Sequence, residues 1–105
     1  ALGERAAEMN ALHVVADVGD HDDVRSAVQE VVRAHGRIDS LVNCAGVAAP
    51  RAFAELTRQD WDRHLTANLI GVFNFCQTVA PHMPRDVSAV IFKFSDKDFF
   101  SIIRL

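Results

Sequence analysis

The chain has 105 residues, enough for one domain, and half of them are hydrophobic, as in an ordinary soluble protein. A net charge of −3 argues against a nucleic-acid partner, because such binding calls for a clustered basic face. No apolar run reaches the ~18 residues that a membrane span needs, and no signal peptide opens the chain. The composition predicts an intracellular protein, cytoplasmic or mitochondrial, with neither nucleic acid nor membrane as a partner.

Cysteine and histidine spacing offers no metal site. Cys44 and Cys76 form no CxxC pair, so two free thiols in a reducing compartment are the simplest interpretation. The histidines are scattered, and none of them pairs at the spacing of metal ligands. They are His13, His21, His35, His64 and His82. We therefore predict no metal site.

The first third of the chain predicts a helix, a strand and a second helix. Residues 3–10 are rich in Ala and Glu, which indicates the tail of a surface helix. Residues 12–16 form a short, apolar, β-branched run that predicts a buried strand. Asp20 is a good N-cap with Asp23 at the position of a capping-box acid, and Gly36 is well placed to end the helix that follows.

The same alternation continues along the chain. Residues 39–44 predict a second strand, Thr57 is the predicted cap of a long helix, and residues 88–92 predict a third strand. The order strand, helix, strand, helix, strand favours an α/β fold with a parallel sheet. Residues 93–105 have no clear alternation and no caps, so we predict a divergent tail after a domain that spans residues 1–92.

Two segments should meet at one edge of this sheet, because open α/β proteins bind ligands outside the carboxyl ends of their strands. Asp17 follows the first predicted strand, and residues 43–46 (Asn-Cys-Ala-Gly) follow the second. Ala45 and Gly46 would let a ligand approach the backbone closely. Simple turn formation also explains these residues, since Asp often begins turns and tight turns need small residues. The spacing alone leaves both interpretations open.

Asn68 lies on the otherwise apolar face of the long helix, between Trp61 and Val72. A buried amide without partners costs about 1–3 kcal/mol. We therefore expect Asn68 to bond to backbone exposed at a local break in the helix, or to water. Taken alone, the residue is more simply explained by a structural role.

Together, these segments resemble the short-chain dehydrogenase/reductase family. Residues 17–20 (Asp-Val-Gly-Asp) are similar to the family's turn after its third strand, whose Asp contacts the adenine of the cofactor. Residues 41–46 resemble its Asn-Asn-Ala-Gly signature, with Cys44 in place of the second Asn. Residues 61–73 resemble its long central helix. The motifs occur in the family's order, and the similarity runs from about residue 12 to residue 91.

The resemblance implies a Rossmann-like, doubly wound parallel sheet that is incomplete here, with the third to fifth strands and the helices between them. It implies NAD or NADP as the cofactor. The residues that match its cofactor contacts are Asp17, Val18, Asn43, Ala45 and Gly46. The residue that matches the Asn of the family's catalytic tetrad is Asn68.

Family members transfer hydride between the cofactor and a carbonyl or alcohol substrate. The chain looks nearest to 3-oxoacyl-carrier-protein reductases and their 17β-hydroxysteroid dehydrogenase relatives. It contains no tyrosine, although the family uses a Tyr-x-x-x-Lys pair to move the proton. The Gly-rich loop that seats the pyrophosphate is expected upstream of Ala1. We therefore expect a fragment or truncated form of an oxidoreductase, inactive and marginally stable alone.

Two other functions remain open at this point. A non-catalytic partner could associate with full-length subunits, or with its own copies, through the helix at residues 57–80, because this helix commonly packs between subunits in the family. A small α/β binding module of the flavodoxin-like kind would share only the alternation of strands and helices, and would leave Asn68 without a purpose.

Overall fold

The computed structural model describes residues 2–48, 50–85, 89–94 and 99–104, which form an incomplete α/β fold. The helices are α1 (Leu2–Glu8), α2 (His21–His35), α3 (Arg58–Leu65) and α4 (Gly71–Val79), with a π-helical turn, Thr66–Ile70, between α3 and α4. Short 3-10 turns cover Phe53–Glu55 and Ala80–His82. The strands are β1 (Ser40–Asn43), β2 (Ala89–Phe94) and β3 (Phe99–Arg104). No helix in this described part is long and apolar enough to cross a bilayer.

Helix α2 begins and ends at the residues that the sequence predicts. The Asp20 carboxylate accepts hydrogen bonds from the backbone N–H groups of Asp22 (2.9 Å) and Asp23 (3.1 Å), which would otherwise lack partners in the first turn. Gly36 has a φ of 82°, and its N–H donates to the carbonyl of Val32 at 2.7 Å. Both predicted ends are confirmed, because each depends on a side chain or a torsion close in sequence.

The sheet has the order β1-β2-β3. Strand β1 pairs with β2 in parallel, with Ser40 opposite Ala89, which confirms the predicted parallel pairing of these two strands. Strand β3 pairs with β2 in antiparallel orientation, which the sequence did not indicate. It comes from the predicted tail, and β2 itself runs to Phe94, although Ser88, the first residue of the predicted strand, lies outside the described residues. The division at residue 92 stays a prediction.

The strand predicted at residues 12–16 does not form, and this prediction is wrong. The segment has no regular secondary structure, because a strand needs a hydrogen-bonded neighbour and the described sheet places none beside it. An apolar cleft of about 590 Å³ lies between this segment and β1. Leu12 is 45% exposed and Val15 is 84% exposed.

The core is small and lies where α2 packs against α4. Among the described residues, Val24, Val28 and Val79 form its buried cluster. Full burial of such a side chain stabilises a protein by about 1.5–3 kcal/mol. By contrast, Leu69 and Phe73 on the long helix are 59% and 57% exposed. The apolar face of α2 is thus buried, whereas part of the apolar face of the long helix stays exposed.

Candidate functional site

The long helix of residues 58–79 positions most of the candidate site, and its start is firmly anchored. Asp60 N–H donates to the Thr57 hydroxyl at 3.1 Å, while the Asp60 carboxylate accepts from the Thr57 N–H at 3.1 Å, which is a complete capping box. Arg51 donates to the same carboxylate at 3.1 Å. The bond from the Thr57 N–H, followed in importance by a bond from the Thr57 hydroxyl at 2.9 Å, holds the pKa of the Asp60 carboxyl below its ordinary value. The loop before the helix is therefore tied to its first turn.

A π-helical turn interrupts the helix where Asn68 lies. Its wider hydrogen bond joins the Gly71 N–H to the Thr66 carbonyl, five residues earlier. The Asn68 amide bonds to both backbone groups of Val47: its Nδ2 donates to the carbonyl at 2.9 Å, and its Oδ1 accepts from the N–H at 2.8 Å. The helix is broken locally at Asn68, but the amide bonds to the loop after β1 rather than to the helix backbone exposed there.

The small residues after β1 lie against this amide. A Cβ atom added at Gly46 would stand 3.0 Å from Asn68 Oδ1, closer than side chains normally approach. Ala45 and Gly46 are both exposed. A side chain at residue 46 would therefore crowd Asn68, and its absence also leaves this backbone accessible to a ligand.

Asp17 begins a compact turn at residues 17–19. Its carboxylate accepts from the Gly19 N–H at 2.8 Å, and its own N–H donates to the Asp23 carboxylate at 3.1 Å. Asp23 therefore does not complete a capping box with Asp20, whose N–H donates instead to the Asp17 carbonyl at 3.1 Å. Asp17 is exposed, and within the described part of the chain its second carboxylate oxygen has no partner. It is an acceptor directed at solvent or at a ligand.

The 17–19 turn packs directly on the π-turn and the start of α4. The buried Asn74 donates from Nδ2 to the Val18 carbonyl at 3.0 Å. A Cβ at Gly71 would lie 2.6 Å from Val18 Cγ2, and a Cβ at Gly19 would lie 2.4 Å from Thr66 Cγ2. The contacts leave no room for even one methyl group between the turn and the helix.

Asn43 is buried, and its side chain faces the helix. Its Nδ2 lies 3.8 Å from the sulfur of Cys76, to which it donates a weak hydrogen bond. Burial raises the pKa of the Cys76 thiol, and the Asn43 amide partly opposes this effect. Cys44 is exposed. The cofactor contact predicted for Asn43 stays a prediction, because the bond to Cys76 uses only one of the two N–H groups of the amide.

The structure thus brings the predicted residues together around one helical segment. The 17–19 turn lies on Thr66, Gly71 and Asn74, while the loop at residues 44–47 lies on Asn68. Sequence reasoning missed the first three. The signal for Asn74 was a polar residue between two phenylalanines in an apolar run, whereas nothing in the pattern marked Thr66. Within the described residues, no group of three or more His, Cys, Asp or Glu side chains gathers to hold a metal ion.

Comparison with known proteins identifies the family. The model of the short chain dehydrogenase family matches residues 1–97. The chain is 42% identical over 69 residues to the 3-oxoacyl-[acyl-carrier-protein] reductase FabG of Thermotoga maritima, covering 66% of this chain and 28% of that protein. Among solved structures, a double mutant of a Serratia marcescens short-chain dehydrogenase/reductase matches with a TM-score of 0.74 and 33% identity, covering 78% of this chain and 36% of the other.

A second solved structure, ElxO with NADP bound, matches with a TM-score of 0.68 and 25% identity, covering 74% of this chain and 32% of that one. The chain therefore belongs to the short-chain dehydrogenase/reductase family, a group of NAD(P)-binding oxidoreductases with a Rossmann-type fold. It spans about a third of the length of these relatives. The resemblance seen in the sequence is confirmed, and so is the incomplete Rossmann-like fold.

Proposed function

We propose that these residues form the adenine-binding side of an NAD(P) site, in an oxidoreductase that transfers hydride to a carbonyl group or from an alcohol. One observation carries the proposal: the 17–19 turn and the 44–47 loop both pack on residues 66–74. Val18 of the turn and Ala45 of the loop line the same apolar crevice. Such a crevice, outside the ends of apolar segments, is where α/β proteins bind nucleotides.

The side chains around this crevice fit the adenosine half of a dinucleotide. The exposed Asp17 carboxylate retains one acceptor oxygen, which suits an exocyclic amine or a ribose hydroxyl. Val18 is half-buried beside it and offers an apolar contact for a base. Ala45 and Gly46 leave the neighbouring backbone open to close approach. When bound, the nicotinamide supplies the hydride chemistry, and the protein supplies binding and orientation.

We assign binding rather than turnover to these 105 residues. None of them is a tyrosine, the residue with which the family moves its proton. Asn68, our catalytic candidate, has one bond from its oxygen and one from its nitrogen committed to Val47. Its amide retains a second N–H and a second lone pair, enough to hold a water. The role of Asn68 in a proton path therefore stays a prediction.

The substrate class is proposed from the relatives. The similarity to a 3-oxoacyl-carrier-protein reductase favours a carbonyl compound of the 3-oxoacyl kind as the substrate of the whole protein. Hydroxysteroids are the second candidate, because the sequence of residues 20–83 also resembles that of 17β-hydroxysteroid dehydrogenases. This proposal of a substrate class rests on the similarity of the sequences.

Competition between the two halves of the dinucleotide tests the proposed site. The purified chain is titrated with NADPH by nucleotide fluorescence, and the bound NADPH is then displaced with AMP or with nicotinamide mononucleotide. We expect AMP to compete and the mononucleotide not to compete, because Asp17 and Val18 face the adenine half. Displacement by the nicotinamide half alone would contradict the assignment, and so would binding that an Asp17→Ala variant retains in full.

A further inference from the structure

We propose that residues 66–74 are the positioning element of this nucleotide site, with Thr66, Gly71 and Asn74 as positioning residues for the 17–19 turn. The inference rests on the proposed function and extends it to residues that touch no nucleotide. The segment fixes the turn relative to the 44–47 loop, so that the two contacts for the adenosine half are presented together.

The turn is held on the segment at three points. Asn74 donates to the Val18 carbonyl at 3.0 Å, and Asn74 is only 5% exposed, so this bond is shielded from water. Val18 Cγ2 and Cβ lie 2.6 and 3.0 Å from the position that a Cβ of Gly71 would take. A Cβ added at Gly19 would clash with the methyl group of Thr66 in the same way. A shift of the turn toward the helix is therefore blocked, and a shift away would break the bond to Asn74.

The loop on the other side is held by the same segment. Asn68 bonds to both backbone groups of Val47 at 2.8 and 2.9 Å. Thr66 and Asn68 are only two residues apart, so the contact with the turn and the contact with the loop belong to one helical turn. The rigid helix backbone is thus the spacer between the two loops.

The π-helical turn is what brings these contacts into line. In a regular α-helix, the carbonyl that faces the Gly71 N–H would belong to residue 67. Here the i to i+5 bond brings Thr66 beneath Gly71, so both residues face the 17–19 turn. Asn74, three residues beyond Gly71, continues the same face of the helix.

A purely structural role for these contacts predicts a different result. It would lower the stability of the chain and leave the affinity of folded molecules unchanged. A positioning role predicts weaker nucleotide binding by molecules that are still folded. The two roles separate when binding is measured at a temperature where circular dichroism shows each variant to be fully folded.

The pair Gly19 and Thr66 provides a test with a built-in rescue. Gly19→Ala places a methyl group against Thr66 Cγ2, whereas the double variant Gly19→Ala/Thr66→Ser removes that atom and leaves only contacts of 3.3 Å or more. We expect Gly19→Ala to raise the Kd for NADPH roughly tenfold, which corresponds to about 1.4 kcal/mol. The double variant should recover most of this loss. Gly3→Ala is the matched control, because its Cβ meets nothing closer than 3.5 Å.

Full affinity in Gly19→Ala would overturn the proposal, and so would a double variant that recovers nothing. A second measurement covers the case in which the unmodified chain binds no nucleotide, an outcome that would contradict the proposed function. The Gly19 amide, which donates to Asp17 at 2.8 Å, is followed by NMR hydrogen exchange in Asn74→Leu. Faster exchange at Gly19, with the Val47 amide unchanged, would support the positioning role. Unchanged exchange at Gly19 would overturn it, whatever the nucleotide does.

Discussion

At the scale of single residues, the polar side chains with the most specific contacts are amides that hold backbone groups of distant segments. Asn68 holds Val47, twenty-one residues away, and Asn74 holds Val18, fifty-six residues away. Each amide lies on a helix and connects it to a loop. Each of these two amides therefore fixes the position of a loop that lies far from it in the sequence.

Loss of the Asn68 amide should destabilise the chain. In Asn68→Leu both backbone groups of Val47 lose their partner, and a part-buried polar group left without one costs about 1–3 kcal/mol. We expect the free energy of unfolding in urea to fall by an amount in this range. Gln77→Leu, at an exposed position of the same helix, is the matched control. Equal losses in the two variants would show that the bonds to Val47 contribute nothing.

Asp60 should make stability depend on pH. The pKa of Asp60 is lowered in the folded chain. The contribution of Asp60 to the free energy of unfolding is therefore present above the ordinary pKa of about 3.9, and it is lost as the pH falls through the pKa of the folded state. The stability difference between the unmodified chain and Asp60→Asn should be largest near neutral pH and should shrink toward pH 3. Urea unfolding at several pH values measures it. A stability difference that stays the same from neutral pH to pH 3 would refute the assignment.

At the scale of elements, the helix ends could be predicted because their causes are local. Asp20 and Gly36 bound α2, and Thr57 caps α3, through contacts within four residues. The only sign of the π-turn in the sequence was Asn68, a polar residue on an apolar helix face that needs a hydrogen-bond partner. Residues 12–16 carry a strand pattern but form no strand, since pairing depends on neighbours that no local pattern reveals. The antiparallel strand β3 could not be predicted, because its sequence does not alternate clearly between apolar and polar residues.

Substitution by alanine should affect thermal stability differently at two glycines, Gly36 at the C-terminal end of α2 and Gly3 in α1. Gly36 has a φ of 82°, a left-handed conformation that costs alanine about 1–2 kcal/mol. Because an added Cβ would meet nothing within 4 Å, Gly36→Ala should lower the free energy of unfolding by this backbone cost alone. Gly3 lies inside α1, where alanine is the better helix former by up to about 1 kcal/mol. Thermal unfolding should therefore show a lower midpoint for Gly36→Ala and an equal or higher one for Gly3→Ala. Equal losses at both positions would contradict the left-handed cap.

At the scale of the whole molecule, the chain leaves much apolar surface exposed. Trp61, Leu69 and Phe73 on the long helix are 52%, 59% and 57% exposed. Large apolar side chains exposed on one helix favour association with another protein surface. Burial of these side chains would drive the oligomer predicted through the helix at residues 57–80, which stays a prediction.

Self-association should respond to a charge placed on this surface. Phe73→Asp introduces a charge that would have to be desolvated on association, so we expect the mean mass in sedimentation equilibrium to fall toward that of the monomer. Gln77→Asp, an exposed polar position on the same helix, should change it little. A concentration-independent monomer before any substitution would show that the exposed helix face does not bind another copy.

The central claim is that the 17–19 turn and the 44–47 loop form a dinucleotide site, and NADPH-dependent thermal unfolding tests it most directly. A ligand that binds only the folded chain stabilises it by about 2.7 kcal/mol at a hundred times its Kd. We predict a saturable rise in the unfolding midpoint that Asp17→Ala largely removes and Asp22→Ala retains. A cooperatively unfolding chain whose midpoint does not move with NADPH or NADH would contradict the claim.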